Sequence, residues 1–194
     1  MVRRKIPRRV EDIWNIPNTL TFLRVVITLA TMYCIFAGFN IVLVVVLFSV
    51  GMFTDFLDGQ IARRFNLVTE FGAKFDMIAD RFLLIGVVGA LVIDSFSGGL
   101  IGRTQILQIF LVMSRELISM PFALVAFVAN KPIPPARFVG KLTTCLQAFA
   151  LPCILLSASY TAFSFAPYLA TLTSIVGLFS AVTYINDLSK EGVR

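Results

Sequence analysis

The chain alternates between long apolar runs and short polar breaks. A helix needs about 20 mostly apolar residues to cross a bilayer. Six stretches reach that scale: residues 19–38, 41–58 with an extension to 65, 72–93, 105–129, 138–157 and 166–185. The pattern predicts an all-α polytopic membrane protein with six transmembrane helices. Ahead of the first run, Ile13-Trp14-Asn15-Ile16-Pro17-Asn18 is amphipathic. It predicts a short interfacial helix with Trp14 at the headgroup level. Pro17 marks a break, and Asn18 or Thr19 is placed to cap the helix that follows. The expected organisation is an N-terminal interfacial segment at 1–18, one six-helix membrane domain at 19–187 and a cytoplasmic tail at 188–194. No internal repeat is visible, which argues against a transporter built from repeats.

Composition sharpens this reading. Charged residues make up 14% of the chain, against roughly 25% in soluble domains. Hydrophobic residues make up 58%, and mean hydropathy is +0.88. The net charge of +6 does not point to nucleic acid, because the cations lie at segment ends as topology signals do. With the N-terminus in the cytoplasm, the inner segments hold Arg3, Arg4, Lys5, Arg8, Arg9, Arg63, Arg64, Lys74, Arg81, Lys131, Arg137, Lys141, Lys190 and Arg194. The outer loops hold only Arg103. The expected topology is N-in and C-in. The first apolar run is full length and should span rather than be cleaved. The chain has no histidine, so a His general base, a Ser-His-Asp triad and His-ligated zinc are excluded. Cys34, Cys145 and Cys153 lie in apolar runs without CxxC spacing and read as small core hydrophobes.

Candidate chemistry sits where the second and third runs approach each other. Asp55, Asp58, Asp76 and Asp80 interrupt otherwise apolar sequence. An ionised carboxylate in hydrocarbon is costly, and intramembrane acids mark function by default. Helical spacings of three and four place Asp55 with Asp58 on one face, and Asp76 with Asp80 on another. Two acidic faces on adjacent helices repel unless a cation lies between them. Hard divalent ions such as magnesium or calcium suit carboxylate oxygen, and a bimetal cage at the cytoplasmic face is the expectation.

The full pattern is Asp55-x-x-Asp58-Gly59-x-x-Ala62-Arg63, eight residues, then Gly72-x-x-x-Asp76-x-x-x-Asp80. It resembles the signature of the CDP-alcohol phosphotransferase (CDP-alcohol phosphatidyltransferase class-I) family at all eight specified positions. Asn15-Ile-Pro-Asn18-x-Leu-Thr21-x-x-Arg24, Ser114-Arg115-Glu116 and Gly140-Lys141-Leu-Thr-Thr-x-x-Gln147 are similar to segments of phosphatidylglycerophosphate synthases and eukaryotic-type cardiolipin synthases. That subfamily usually has Asp-Pro-Leu-Ala-Asp at the third and fourth aspartates, where Met77 and Ile78 fill the gap here. Arg81 stands where Lys is more usual. Family members have six transmembrane helices and often form homodimers. They transfer the phosphoalcohol of a CDP-linked alcohol to a second alcohol and release CMP.

The resemblance implies two divalent cations, Mg2+ or Mn2+, held by Asp55, Asp58, Asp76 and Asp80, with Asp80 also the general base. It implies nucleotide contacts from Asn18, Thr21, Arg63 and Thr69. Gly59, Ala62 and Gly72 allow close approach of the ligand or of a neighbouring helix.

An acceptor such as glycerol 3-phosphate is a dianion and requires cations of its own. Arg115, inside the fourth run, and Lys141 and Arg137, at the start of the fifth, are the candidates. Glu116 points about 100° away from Arg115 on a helix and reads as a poor partner for it. The implied substrates are CDP-diacylglycerol and glycerol 3-phosphate, giving phosphatidylglycerol phosphate. The implied location is the cell inner membrane, or the mitochondrial inner membrane in a eukaryote, with the site facing the cytoplasm. Cardiolipin synthesis with phosphatidylglycerol as acceptor is the alternative. Inositol phosphate acceptors, a cation transporter and an inactive scaffold fit the residues less well.

Overall fold

The computed structural model describes residues 16–64, 70–128 and 138–191. They are helical throughout, with no strand among them. The order is α1 (Ile16–Phe36), α2 (Ile41–Arg64), α3 (Glu70–Phe96), α4 (Arg103–Val112), α5 (Ser114–Val128), α6 (Phe138–Ser157), a short 3-10 turn (Thr161–Phe163) and α7 (Ala166–Glu191). The chain forms two compact units, Met1–Leu91 and Val92–Arg194, with the division inside α3.

In the first unit a tight turn joins α1 to α2. Gly38 takes φ +67, a conformation that disfavours side chains, and Phe39 N–H returns to the Cys34 carbonyl. Asn40 then caps α2, its Oδ1 accepting from Val42 N–H at 2.9 Å. Along the helix pair Thr21 meets Asp58, Arg24 meets Asp55, and Gly51 faces Ile27. Advance along α1 thus matches retreat along α2, an antiparallel hairpin. Helix α3 runs back alongside: Arg24 meets Asp76 and Asp80, and Gly86 faces Thr28 and Met32.

Helix α1 is amphipathic with its polar side inward. Asn18, Thr21, Arg24, Thr28 and Thr31 are buried, at spacings of three and four. Phe22, Val26, Leu29 and Tyr33 are exposed. In water this arrangement would lose most of its hydrophobic stabilisation; against lipid it is stable. Thr21, Thr28 and Thr31 donate to carbonyls one turn back, so their hydroxyls are satisfied inside the helix.

In the second unit α7 presents small residues to its neighbours. Ala166, Ala170, Thr173, Ser174, Ser180 and Ala181 are buried, and a Cβ on Gly177 would lie 3.3 Å from the Arg115 Cβ. Such a stripe lets backbones approach closely. Facing it, α6 buries Gly140, Thr143, Gln147, Ala150, Leu151, Ile154 and Leu155.

Four helical stretches among the described residues are long and apolar enough to cross a membrane: Ile16–Phe36, Ile41–Ile61, Phe138–Ser157 and Thr161–Asn186. The expected third run forms α3, but Lys74, Asp76, Asp80 and Arg81 load its first half and Asp94 its end. The expected fourth run is not one helix. It divides at Met113, whose φ −81 and ψ −2 close α4. One cause lies nearby. The Gln147 amide takes the Val112 carbonyl at 3.0 Å, a carbonyl that a continuous helix would use itself.

The start of α1 also differs from expectation. The helix already includes Ile16, Pro17 and Asn18, so Pro17 is not a break and Asn18 is not a cap. Proline is tolerated in a first turn because its missing N–H has no helical acceptor there. The interfacial helix around Trp14 lies outside the described residues. Among the cysteines, Cys34 is core but Cys145 is exposed, because it falls on the outward face of α6.

Candidate active site

Four carboxylates converge on one arginine. Arg24, from the buried stripe of α1, pairs with Asp55 at 3.3 Å, with Asp76 at 2.9 Å, with Asp80 at 2.5 Å, and with Asp58. Its side chain has no solvent exposure, and Asp58 retains 3%. Asp55, Asp76 and Asp80 retain 33%, 37% and 37%, so one side of the cluster is open. The helical spacing in α2 and α3 places all four acids on the face that meets α1. Thr21 Oγ1 adds a contact to Asp58 at 3.4 Å.

The donor set suits a hard divalent cation. One oxygen from each of Asp55, Asp76 and Asp80 lies within 4.8 Å of the others. All are carboxylate oxygens, the ligands magnesium and manganese prefer. One guanidinium leaves four ionised carboxylates well short of neutral, so the cluster has capacity for further positive charge.

Other expected residues fall in several places. Asn18 and Thr21 are buried in α1, on the same stripe as Arg24. Gly59 and Gly72 lie half-buried in α2 and α3, each one turn or less from an acid of the cluster. Ala62 and Arg63 belong to α2, but their side chains lie outside the described set. Thr69 and Arg137 lie outside the described residues altogether.

In the second unit Arg115 opens α5 rather than sitting mid-helix, because the break at Met113 precedes it. Contrary to expectation, Glu116 is its partner: Arg115 Nη1 lies 3.3 Å from Glu116 Oε1. Both side chains are long enough to bend round the helix. Thr144 Oγ1 accepts from the same Nη1 at 3.2 Å. Glu116 is held from the other side by Gln147 Nε2 at 2.5 Å. Gly140 leaves room for the guanidinium; a Cβ there would lie 3.3 Å from Arg115 Nη2. Lys141 is exposed in the first turn of α6.

The sequence reading missed Arg24 as a site residue. The signal was available. Arg24 is a permanently charged group in an apolar run, spaced by three, four and seven from Thr21, Thr28 and Thr31.

A helical protein with long apolar helices and a carboxylate cluster at a helix junction is the class these features define. Residues 14–183 match the family model for CDP-alcohol phosphatidyltransferase, and the chain belongs to that family. A Rickettsia typhi protein named CDP-diacylglycerol–glycerol-3-phosphate 3-phosphatidyltransferase is 32% identical over 146 residues, covering 74% of this chain and 78% of its own. A Rickettsia bellii protein of the same name is 35% identical over 150 residues, covering 74% and 76%. A Wigglesworthia glossinidia brevipalpis protein, also of that name, is 26% identical over 174 residues, covering 88% and 92%.

Proposed function

We propose that the protein transfers a phosphatidyl group from CDP-diacylglycerol to glycerol 3-phosphate, giving phosphatidylglycerol phosphate and CMP. Family membership and the relatives' names support this reaction. The single observation that carries it is the convergence of Asp55, Asp58, Asp76 and Asp80 on one buried arginine. Such a cluster suits a reaction that must neutralise a diphosphate.

In this reading the four aspartates hold two divalent cations, Mg2+ or Mn2+. When bound, those ions supply charge neutralisation at the diphosphate and at the leaving phosphate. Asp80 takes the proton of the acceptor hydroxyl. That oxygen bonds to the phosphorus carrying the diacylglycerol, and the bond from this phosphorus to the bridging oxygen breaks. The bridging oxygen leaves with CMP. Asn18, Thr21, Arg63 and Thr69 contact the nucleotide, and Gly59, Ala62 and Gly72 leave room for it. Arg115, Lys141 and Arg137 are assigned to the acceptor phosphate, with Glu116 and Thr144 orienting Arg115.

The wider reading places six spans in a bacterial inner membrane, N-in and C-in, with the aspartates toward the cytoplasm and two copies forming a homodimer. The apolar, lipid-compatible outer face of α1 supports a membrane location.

The test offers purified protein labelled CDP-diacylglycerol with glycerol 3-phosphate, phosphatidylglycerol or inositol phosphate in turn. CMP release and labelled phosphatidylglycerol phosphate with the first acceptor alone are expected. Product only with phosphatidylglycerol would transfer the assignment to cardiolipin synthesis.

A further inference from the structure

The two terminal nitrogens of Arg24 divide the cluster by helix. Nη2 takes the α2 acids, Asp55 and Asp58. Nη1 takes the α3 acids, Asp76 and Asp80. A guanidinium cannot shed its charge, so it needs a carboxylate whether or not other cations are present. Its Nε is buried without a hydrogen-bond partner, so the burial of this side chain is compensated through the two terminal nitrogens.

The four acids are not equivalent as partners. Asp58 is almost wholly buried and also meets Thr21. Asp55, Asp76 and Asp80 are each about one third exposed, and they are the three whose oxygens group closely enough to hold a cation. Arginine and incoming cation therefore draw on the same three carboxylates.

We infer that Arg24 is a positioning residue that acts as an internal counter-ion: it holds the cage together without metal and competes with divalent cations for Asp55, Asp76 and Asp80. Asp58 remains its partner through Oδ2 when the other three turn to the metal, which leaves its second oxygen for a cation. Two consequences follow by linkage. Arg24 stabilises the metal-free protein more than the metal-loaded protein. For the same reason it weakens cation binding, which keeps the cage reversible. The inference rests on reading the cage as a divalent-cation site.

The experiment titrates full-length protein in detergent with Mn2+ alone and counts free Mn2+ by electron paramagnetic resonance. Thermal stability is recorded with and without Mn2+. Loss of a charge-assisted competitor should tighten Mn2+ binding in Arg24→Gln by about tenfold or more. The variant should melt below wild type without metal, and the gap should narrow in saturating Mn2+. Arg24→Lys keeps the charge but offers one nitrogen centre, so an intermediate affinity is expected; it replaces the glutamine variant if that fails to fold. Equal or weaker Mn2+ binding in the variants overturns the competitor role. Absence of Mn2+ binding by wild type instead overturns the cation-site reading, and this inference with it.

Discussion

Gln147 Nε2 lies 2.5 Å from Glu116 Oε2 and links α6 to α5. The same nitrogen holds the Val112 carbonyl at 3.0 Å. One buried amide thus braces both sides of the break at Met113. Gln147→Leu keeps the volume but strands a carbonyl and removes a donor from Glu116. Leaving such groups unpaired costs about 1–3 kcal/mol. A lower melting temperature in matched detergent is expected. Wild-type stability would show that the brace contributes nothing.

Metal dependence is the second expectation. Excess chelator should abolish CMP release, and added Mg2+ or Mn2+ should restore it. The reason is a donor set made wholly of carboxylates on described residues, three of them mutually close. Full turnover in chelator would exclude the two-cation reading.

Asp58 and Asp80 should separate on substitution. Asp58 is buried against Arg24, so Asp58→Asn removes charge from a fully buried cation. Three carboxylate partners remain, so the loss should stay below the roughly 3–5 kcal/mol of an orphaned buried charge. Reduced thermal stability, CDP-diacylglycerol binding and turnover are all expected. Asp80 is more exposed and is assigned the proton transfer. Asp80→Asn should cut turnover by at least about a hundredfold while substrate binding is largely kept. Equal, mild losses in both variants would refute this division.

Much of this arrangement was legible in the sequence. Spacings of three and four in Asp55/Asp58 and Asp76/Asp80 were enough to predict two acidic faces, because helix geometry fixes them. The apolar runs forecast α2 and α6 closely, since the Thr54, Thr143 and Thr144 hydroxyls bond to carbonyls within one turn and leave each helix continuous. The break at Met113 was not readable. It depends on Gln147 taking the carbonyl of Val112, thirty-five residues before it, which local pattern assigns to the helix. The Arg115–Glu116 pair was misjudged for a related reason. Angular position on a helix was weighed, but the reach of two long side chains and the hold of Gln147 were not.

The acceptor site gives the last prediction. Arg115 is oriented by Glu116 and Thr144, and Lys141 is an exposed cation in the first turn of α6. A phosphomonoester dianion would compete well for both, since neither is locked in a fully buried pair. Arg115→Ala and Lys141→Ala should raise KM for glycerol 3-phosphate by about tenfold or more, at about 1.5–3 kcal/mol per charge-assisted contact. KM for CDP-diacylglycerol should change far less. Arg115→Lys should recover only part of the loss, because an ammonium cannot reproduce the planar fork. Steady-state kinetics with each substrate varied in turn makes the measurement. An unchanged glycerol 3-phosphate dependence in both alanine variants would place the acceptor phosphate on other residues.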